Sequence, residues 1–221
     1  MDEIAQFFKT IFQDPASVFN PESLIAAGGL TILFLIIYCE TGLFFCFFFP
    51  GDSLVFTAGV LSATRDLDAG WLAVCSVMTV AAILGNMTGF YIGKRMGPML
   101  MHRKDSFFFK REYMATAEDF YKKYGGLALV LGRFLPIVRT FAPILAGMLN
   151  LSYRRFLFLS VAGAVLWVVP LVTIGFFLGK IPFVRQNLGY IVIGMVVAIT
   201  GPVVVKVIRE SRRQKKKQTV L

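Results

Sequence analysis

GRFLPIVRTFAP, residues 132–143, is the stretch on which the fold turns. It places Arg133 and Arg139 inside an apolar segment bounded by Gly125 and Leu149, with Pro136 and Pro143 interrupting any helix that carries them. A charge at the centre of a spanning helix costs roughly 2.5–3.5 kcal/mol even on the translocon scale, so two arginines need partners or a purpose. CETGLFFCFFFPGDSLVFTAG, residues 39–59, offers the counterpart: Glu40 and Asp52 stand in equally apolar surroundings, broken at Pro50 and Gly51. The two stretches are expected to meet inside a membrane.

The rest of the chain supports that setting. Its 221 residues are 57% hydrophobic and 16% charged, with a mean hydropathy of +0.70, too little polar surface for a soluble domain of this size. A net charge of +10 could suggest nucleic acid in a soluble protein. Here the basic residues collect after Gly93 and in the tail, where they read as topology signals facing anionic lipid, and no nucleic acid partner is expected. The opening MDEIAQ carries acids where a signal peptide carries Lys or Arg, so the first apolar segment is expected to stay. Cys39, Cys46 and Cys75 lack CxxC spacing and read as small hydrophobes. With His102 the one histidine, neither a metal nor another cofactor is expected, and no nucleophile–base pair points to an enzyme.

Taken in order, residues 1–22 hold an amphipathic interfacial helix, with Ile4, Phe7, Phe8, Ile11 and Phe12 on one side. Residues 23–208 form the membrane domain and 209–221 a basic tail. Within the domain, residues 24–39 predict an uninterrupted apolar helix, about 24 Å long at 1.5 Å per residue. Residues 43–63 and 125–149 predict hairpins that enter and leave on one side, because each half is too short to span. Residues 71–92, 156–178 and 188–208 predict full helices, the last two kinked by Pro170 and Pro202. Gly85, Gly89, Gly93 and Gly97 form a GxxxG ladder suited to close helix packing. The basic loop 94–124 includes a second candidate interfacial helix.

The charge distribution tests the hairpins. With both re-entrant there are four crossings, and the termini, the basic loop, Arg154 and Arg155 share one side, against Arg65, Lys180 and Arg185 opposite. The positive-inside rule then makes both termini cytoplasmic. A faint repeat agrees: TAGVL at 57–61 recurs as LAGML at 145–149, and GFYIGK at 89–94 as GFFLGK at 175–180. One crossing between the copies makes them inverted, a transporter design. The fold class read here is therefore all-α integral membrane, with four spanning helices, two oppositely oriented re-entrant hairpins and interfacial amphipathic helices.

Glu40, Asp52, Arg133 and Arg139 would form a set of two acids and two bases. A structural salt-bridge network accounts for it without function, and Asp52 after Pro50-Gly51 would serve as a helix cap. The functional account has the arginines hold an anionic head group while a buried carboxylate takes and releases a proton. Pro143, read as the start of a half-helix over 143–149, would aim free backbone N–H groups at the same anion.

FFPGDSL at 48–54, GNMTGFYIGKRMG at 85–97 and GRFLPIVRTFAPILAG at 132–147, together with Glu40, closely resemble the DedA family, also described as SNARE-associated or VTT-domain membrane proteins. The resemblance covers nearly all of residues 24–208. It implies two re-entrant hairpins and, for bacterial members, an undecaprenyl-phosphate flippase linked to proton motive force and envelope integrity; eukaryotic relatives look like phospholipid scramblases. The family's essential acidic and arginine positions match Glu40, Asp52, Arg133 and Arg139. On this reading Arg133 and Arg139 bind phosphate, Glu40 and Asp52 couple protons, and the location is the inner membrane. The partners are a polyprenyl phosphate or phospholipid and the surrounding lipid, and a homo-oligomer stays open.

Overall fold

The computed structural model describes residues 21–43, 51–64, 67–101 and 136–198. All regular structure among them is helical: α1 (Pro21–Gly42), α2 (Gly51–Thr64), α3 (Trp71–Met101), α4 (Pro136–Met148), α5 (Tyr153–Gly179), the short α6 (Pro182–Gln186) and α7 (Leu188–Ala198). Two stretches are long and apolar enough to cross a membrane, the 26 residues Trp71–Met96 and the 27 residues Tyr153–Gly179. The sequence-predicted interfacial helices, Cys46, Pro202, the tail and most of the basic loop lie outside the described residues.

Three sequence expectations change. The first apolar helix is not uninterrupted: α1 breaks at Gly28 and Gly29, where Gly29 has φ 50°, a conformation that the missing Cβ permits. Helix α3 runs beyond Ile92 to Met101, so Lys94 and Arg95 continue it as exposed residues rather than opening a loop. Pro143 does not begin a half-helix. Helix α4 starts at Pro136 and passes through Pro143. Proline is favoured in a first turn because its missing N–H leaves nothing unpaired there. Pro143 instead has no N–H to give the Arg139 carbonyl four residues back.

The main core joins α1, α2, α3 and α5 through Ile32, Leu33, Ile37, Leu54, Val55, Val74, Met78, Val168 and Val172, all buried. Apolar side chains also cover the outside: Leu72, Phe158, Leu166, Phe177, Tyr190 and Ile193 are exposed. Helix α5 is thus hydrophobic on both its buried and its exposed faces, the pattern of a helix whose solvent is hydrocarbon. Cys75 is buried and Cys39 half-buried, both free.

The short helices are exchanged between the long ones. Helix α2 packs on α5, and α4 packs on α3. Glycines from the sequence repeat line both seams. A Cβ on Gly59 would strike the Val172 carbonyl, and one on Gly175 the Phe56 carbonyl. In the other seam, a Cβ on Gly93 would strike the Ile144 carbonyl and one on Gly147 the Phe90 carbonyl. Backbone therefore meets backbone in both seams, a form of association that suits an apolar medium where helix packing depends on close van der Waals contact. Polar side chains tie the long helices together: Asn86 Nδ2 donates to Ser160 Oγ (2.8 Å) and Trp71 Nε1 to Thr173 Oγ1 (3.2 Å).

Candidate functional site

The α3 ladder determines what meets at the centre. Gly85 abuts Tyr38 and Thr41 of α1, Gly89 touches both Gly42 of α1 and Pro143 of α4, and Gly93 abuts Ile144 of α4. Seating both helices on one row of glycines brings the C-terminal end of α1, which carries Glu40, beside the first turn of α4, which carries Arg139. Gly97 is helical within α3.

Arg139 is the hub. Its Nη2 donates to Glu40 Oε1, and its Nη1 donates to Asp52 Oδ1 at 2.7 Å. Side-chain exposure is 3% for Arg139, 1% for Glu40 and 20% for Asp52, so the cluster opens on the Asp52 side. The same Asp52 oxygen accepts a second hydrogen bond, 2.7 Å from Trp167 Nε1, and the Trp167 ring lies under the guanidinium with Arg139 Cζ 4.4 Å from its centroid. Arg139 Nε has no hydrogen-bond partner among the described residues.

Helix ends explain why these groups need one another. Glu40 sits in the last turn of α1 and Arg139 in the first turn of α4, each at the end where the helix dipole disfavours its charge. Placed together, each lies near a helix end of opposite sign. Asp52, in the first turn of α2, is at the end that favours a carboxylate. Gly51 makes room: a Cβ there would overlap the Glu40 carboxylate, which the Gly51 backbone N–H also faces. The first turns of α2 and α4 converge here, and first-turn N–H groups have no partners within their own helix.

Of the four charged residues read from sequence, the structure brings three together; Arg133, like Pro50, lies outside the described residues. Gly51 and Pro136 are the first residues of α2 and α4. Sequence reasoning missed Trp167. Its signal was the indole N–H, which seeks an acceptor when buried. An open hollow of about 790 Å³ lies elsewhere, lined by Thr64, Lys180 and Arg185 at the far end of α2 from the cluster. Among the described residues, no group of His, Cys, Asp and Glu could hold a metal ion.

Packed helices with apolar exposed faces and a buried charge cluster where two short helices begin define a helical membrane protein with a polar interior site. The VTT domain model matches residues 49–177, spanning α2 through most of α5. The chain is 44% identical over 194 residues to Protein DedA of Escherichia coli K12, covering 86% of this chain and 88% of that one. It is 41% identical over 182 residues to an uncharacterized membrane protein of Mycobacterium leprae (82% and 81% covered). It is 34% identical over 184 residues to the inner membrane protein YqjA of Escherichia coli K12 (82% and 81% covered). No solved structure matches the chain. The chain belongs to the DedA family of VTT-domain membrane proteins.

Proposed function

We propose that this protein is an inner-membrane lipid transporter that returns undecaprenyl phosphate from the outer to the inner leaflet, with proton movement coupled to the transfer. The observation that carries the reading is Arg139, buried at the start of a helix too short to span and shared between two carboxylates. Helices α2 and α4, of 14 and 13 residues, reach about 20 Å at 1.5 Å per residue, against a hydrocarbon core of about 30 Å. They are read as the outgoing halves of two re-entrant hairpins. Helices α1, α3 and α5 and the sequence-predicted span 188–208, of which α7 is the described part, are then the four crossings, with both termini cytoplasmic.

In this scheme the phosphate comes in from the Asp52 side and takes the Nε and Nη1 donors of Arg139, together with N–H groups of the first turn of α4. Arg133 supplies the second cation. A proton on Glu40 removes the competing charge on Nη2 and lets the phosphate bind; its loss restores the ion pair and expels the phosphate on the other side. Only the head group needs this polar path, since the polyprenyl chain stays in lipid.

The test is flipping of labelled undecaprenyl phosphate in proteoliposomes. Native protein is expected to flip it faster with an imposed pH gradient, and Arg139→Ala to abolish the activity. Undiminished flipping by Arg139→Ala would sink the assignment. Equal flipping of zwitterionic phospholipids without a gradient would replace it with a scramblase.

A further inference from the structure

We propose that Trp167 is a positioning residue of the charge cluster: it keeps hold of Asp52 when Arg139 lets go of it, so that the arginine can exchange a carboxylate for an incoming anion. The inference rests on the transport reading for its purpose, but on geometry for its substance.

The four side chains ride on two different seams. Glu40 and Arg139 belong to α1 and α4, both seated on the glycine ladder of α3. Asp52 and Trp167 belong to α2 and α5, which share the other glycine seam at Gly59, Val172 and Gly175. The Glu40–Arg139 pair therefore lies within one group of helices, and the Asp52–Trp167 bond within the other. Among the four side chains, what crosses between the groups is the Asp52–Arg139 bond and the stacking of Arg139 on the Trp167 ring. These are the contacts that an anion arriving from the more exposed Asp52 side meets first.

Breaking an ion pair in this setting normally leaves a poorly solvated carboxylate, which is costly. Trp167 removes that obstacle. Its Nε1–H already binds the oxygen that faces Arg139, and an indole N–H is a donor alone, so it cannot compete for the arginine or change with pH in the working range. Asp52 would thus exchange two donors for one rather than for none. The ring face, 3% exposed with its residue, meanwhile supplies a non-hydrogen-bonding surface on which the guanidinium can turn toward a new partner.

Two measurements test this. Trp71→Phe leaves Trp167 as the sole tryptophan, because the chain has two, and the indole N–H can then be followed by NMR in detergent micelles. In that background, Arg139→Ala is expected to keep the Trp167 N–H slow to exchange with solvent, since Asp52 still holds it, whereas Asp52→Ala makes exchange fast. Equally fast exchange in both variants would overturn the proposal. In the proteoliposome assay, Trp167→Phe keeps a ring face but loses the donor. Turnover is expected to fall about tenfold, the scale of one hydrogen bond to a charged group, with the half-saturating lipid concentration unchanged. Trp167→Phe should add nothing in the Asp52→Ala background, which removes the acceptor; a further loss there would mean that Trp167 merely fills the core, and would also overturn the proposal. If Arg139→Ala flips lipid normally while the NMR result holds, the transport reading fails and the positioning role stands.

Discussion

The Glu40–Arg139 pair can be weighed independently of any transported lipid by a double-mutant cycle. Arg139→Ala leaves Glu40, whose side chain is 1% exposed, with no cation among the described residues, and leaves Asp52 with Trp167. Removing one partner of a buried pair in this way costs about 3–5 kcal/mol. Glu40→Ala is milder, because Arg139 keeps Asp52 and loses one charge-assisted hydrogen bond, about 1.5–3 kcal/mol. The double variant removes both buried charges, so its loss should fall short of the sum by about 1.5–3 kcal/mol. The assay is reversible unfolding in mixed micelles with rising sodium dodecyl sulfate, followed by far-ultraviolet circular dichroism. Losses that add to within about 0.5 kcal/mol would show that the two residues do not share a buried bond, and the site as described would be wrong.

Arg139→Lys retains the charge but cannot reach Glu40 and Asp52 from two fixed nitrogens while stacking on Trp167; lipid flipping should fall at least about tenfold, the value of one charge-assisted hydrogen bond, while protein yield is largely kept. Gly51→Ala drives a methyl into the Glu40 carboxylate and should destabilise the protein by about 1–3 kcal/mol. Gly70→Ala, where a Cβ meets nothing within 4 Å, serves as its control in the same unfolding assay. Gly93→Leu forces α3 away from the Ile144 backbone and should abolish the folded peak in size-exclusion chromatography, whereas Gly194→Leu, facing open space, should leave it intact.

The sequence shows most of this through what is out of place. Arginine, glutamate and aspartate in apolar surroundings are expensive enough to be conspicuous, and Arg139, Glu40 and Asp52 do converge. The glycine ladder was readable for the same reason, since small residues at fourfold spacing have few uses other than close approach. Trp167 was not, because a tryptophan in an apolar helix resembles ordinary packing until its N–H is seen to have a carboxylate partner. Proline gave an ambiguous signal: Pro136 and Pro143 both break helices in principle, and only the tertiary seat on Gly89 shows that the chain continues through the second. The break at Gly28 and Gly29 was likewise hidden, because paired glycines in an apolar run are as consistent with packing as with a bend.

The exchange of short helices between long ones has a consequence for how the protein is made. Helix α2 leaves the ribosome more than a hundred residues before Val172 and Gly175, the positions on α5 that it must meet. Helix α3 likewise waits for α4. Neither half of the chain can bury its glycine seam alone, so early insertion intermediates hold an unneutralised Glu40 until α4 is made and an unmatched backbone groove on α2 until α5 is made. A chain stalled before α5 is therefore an expected client of membrane chaperones or quality-control proteases, and separately expressed halves should be degraded singly but rescue each other when made together.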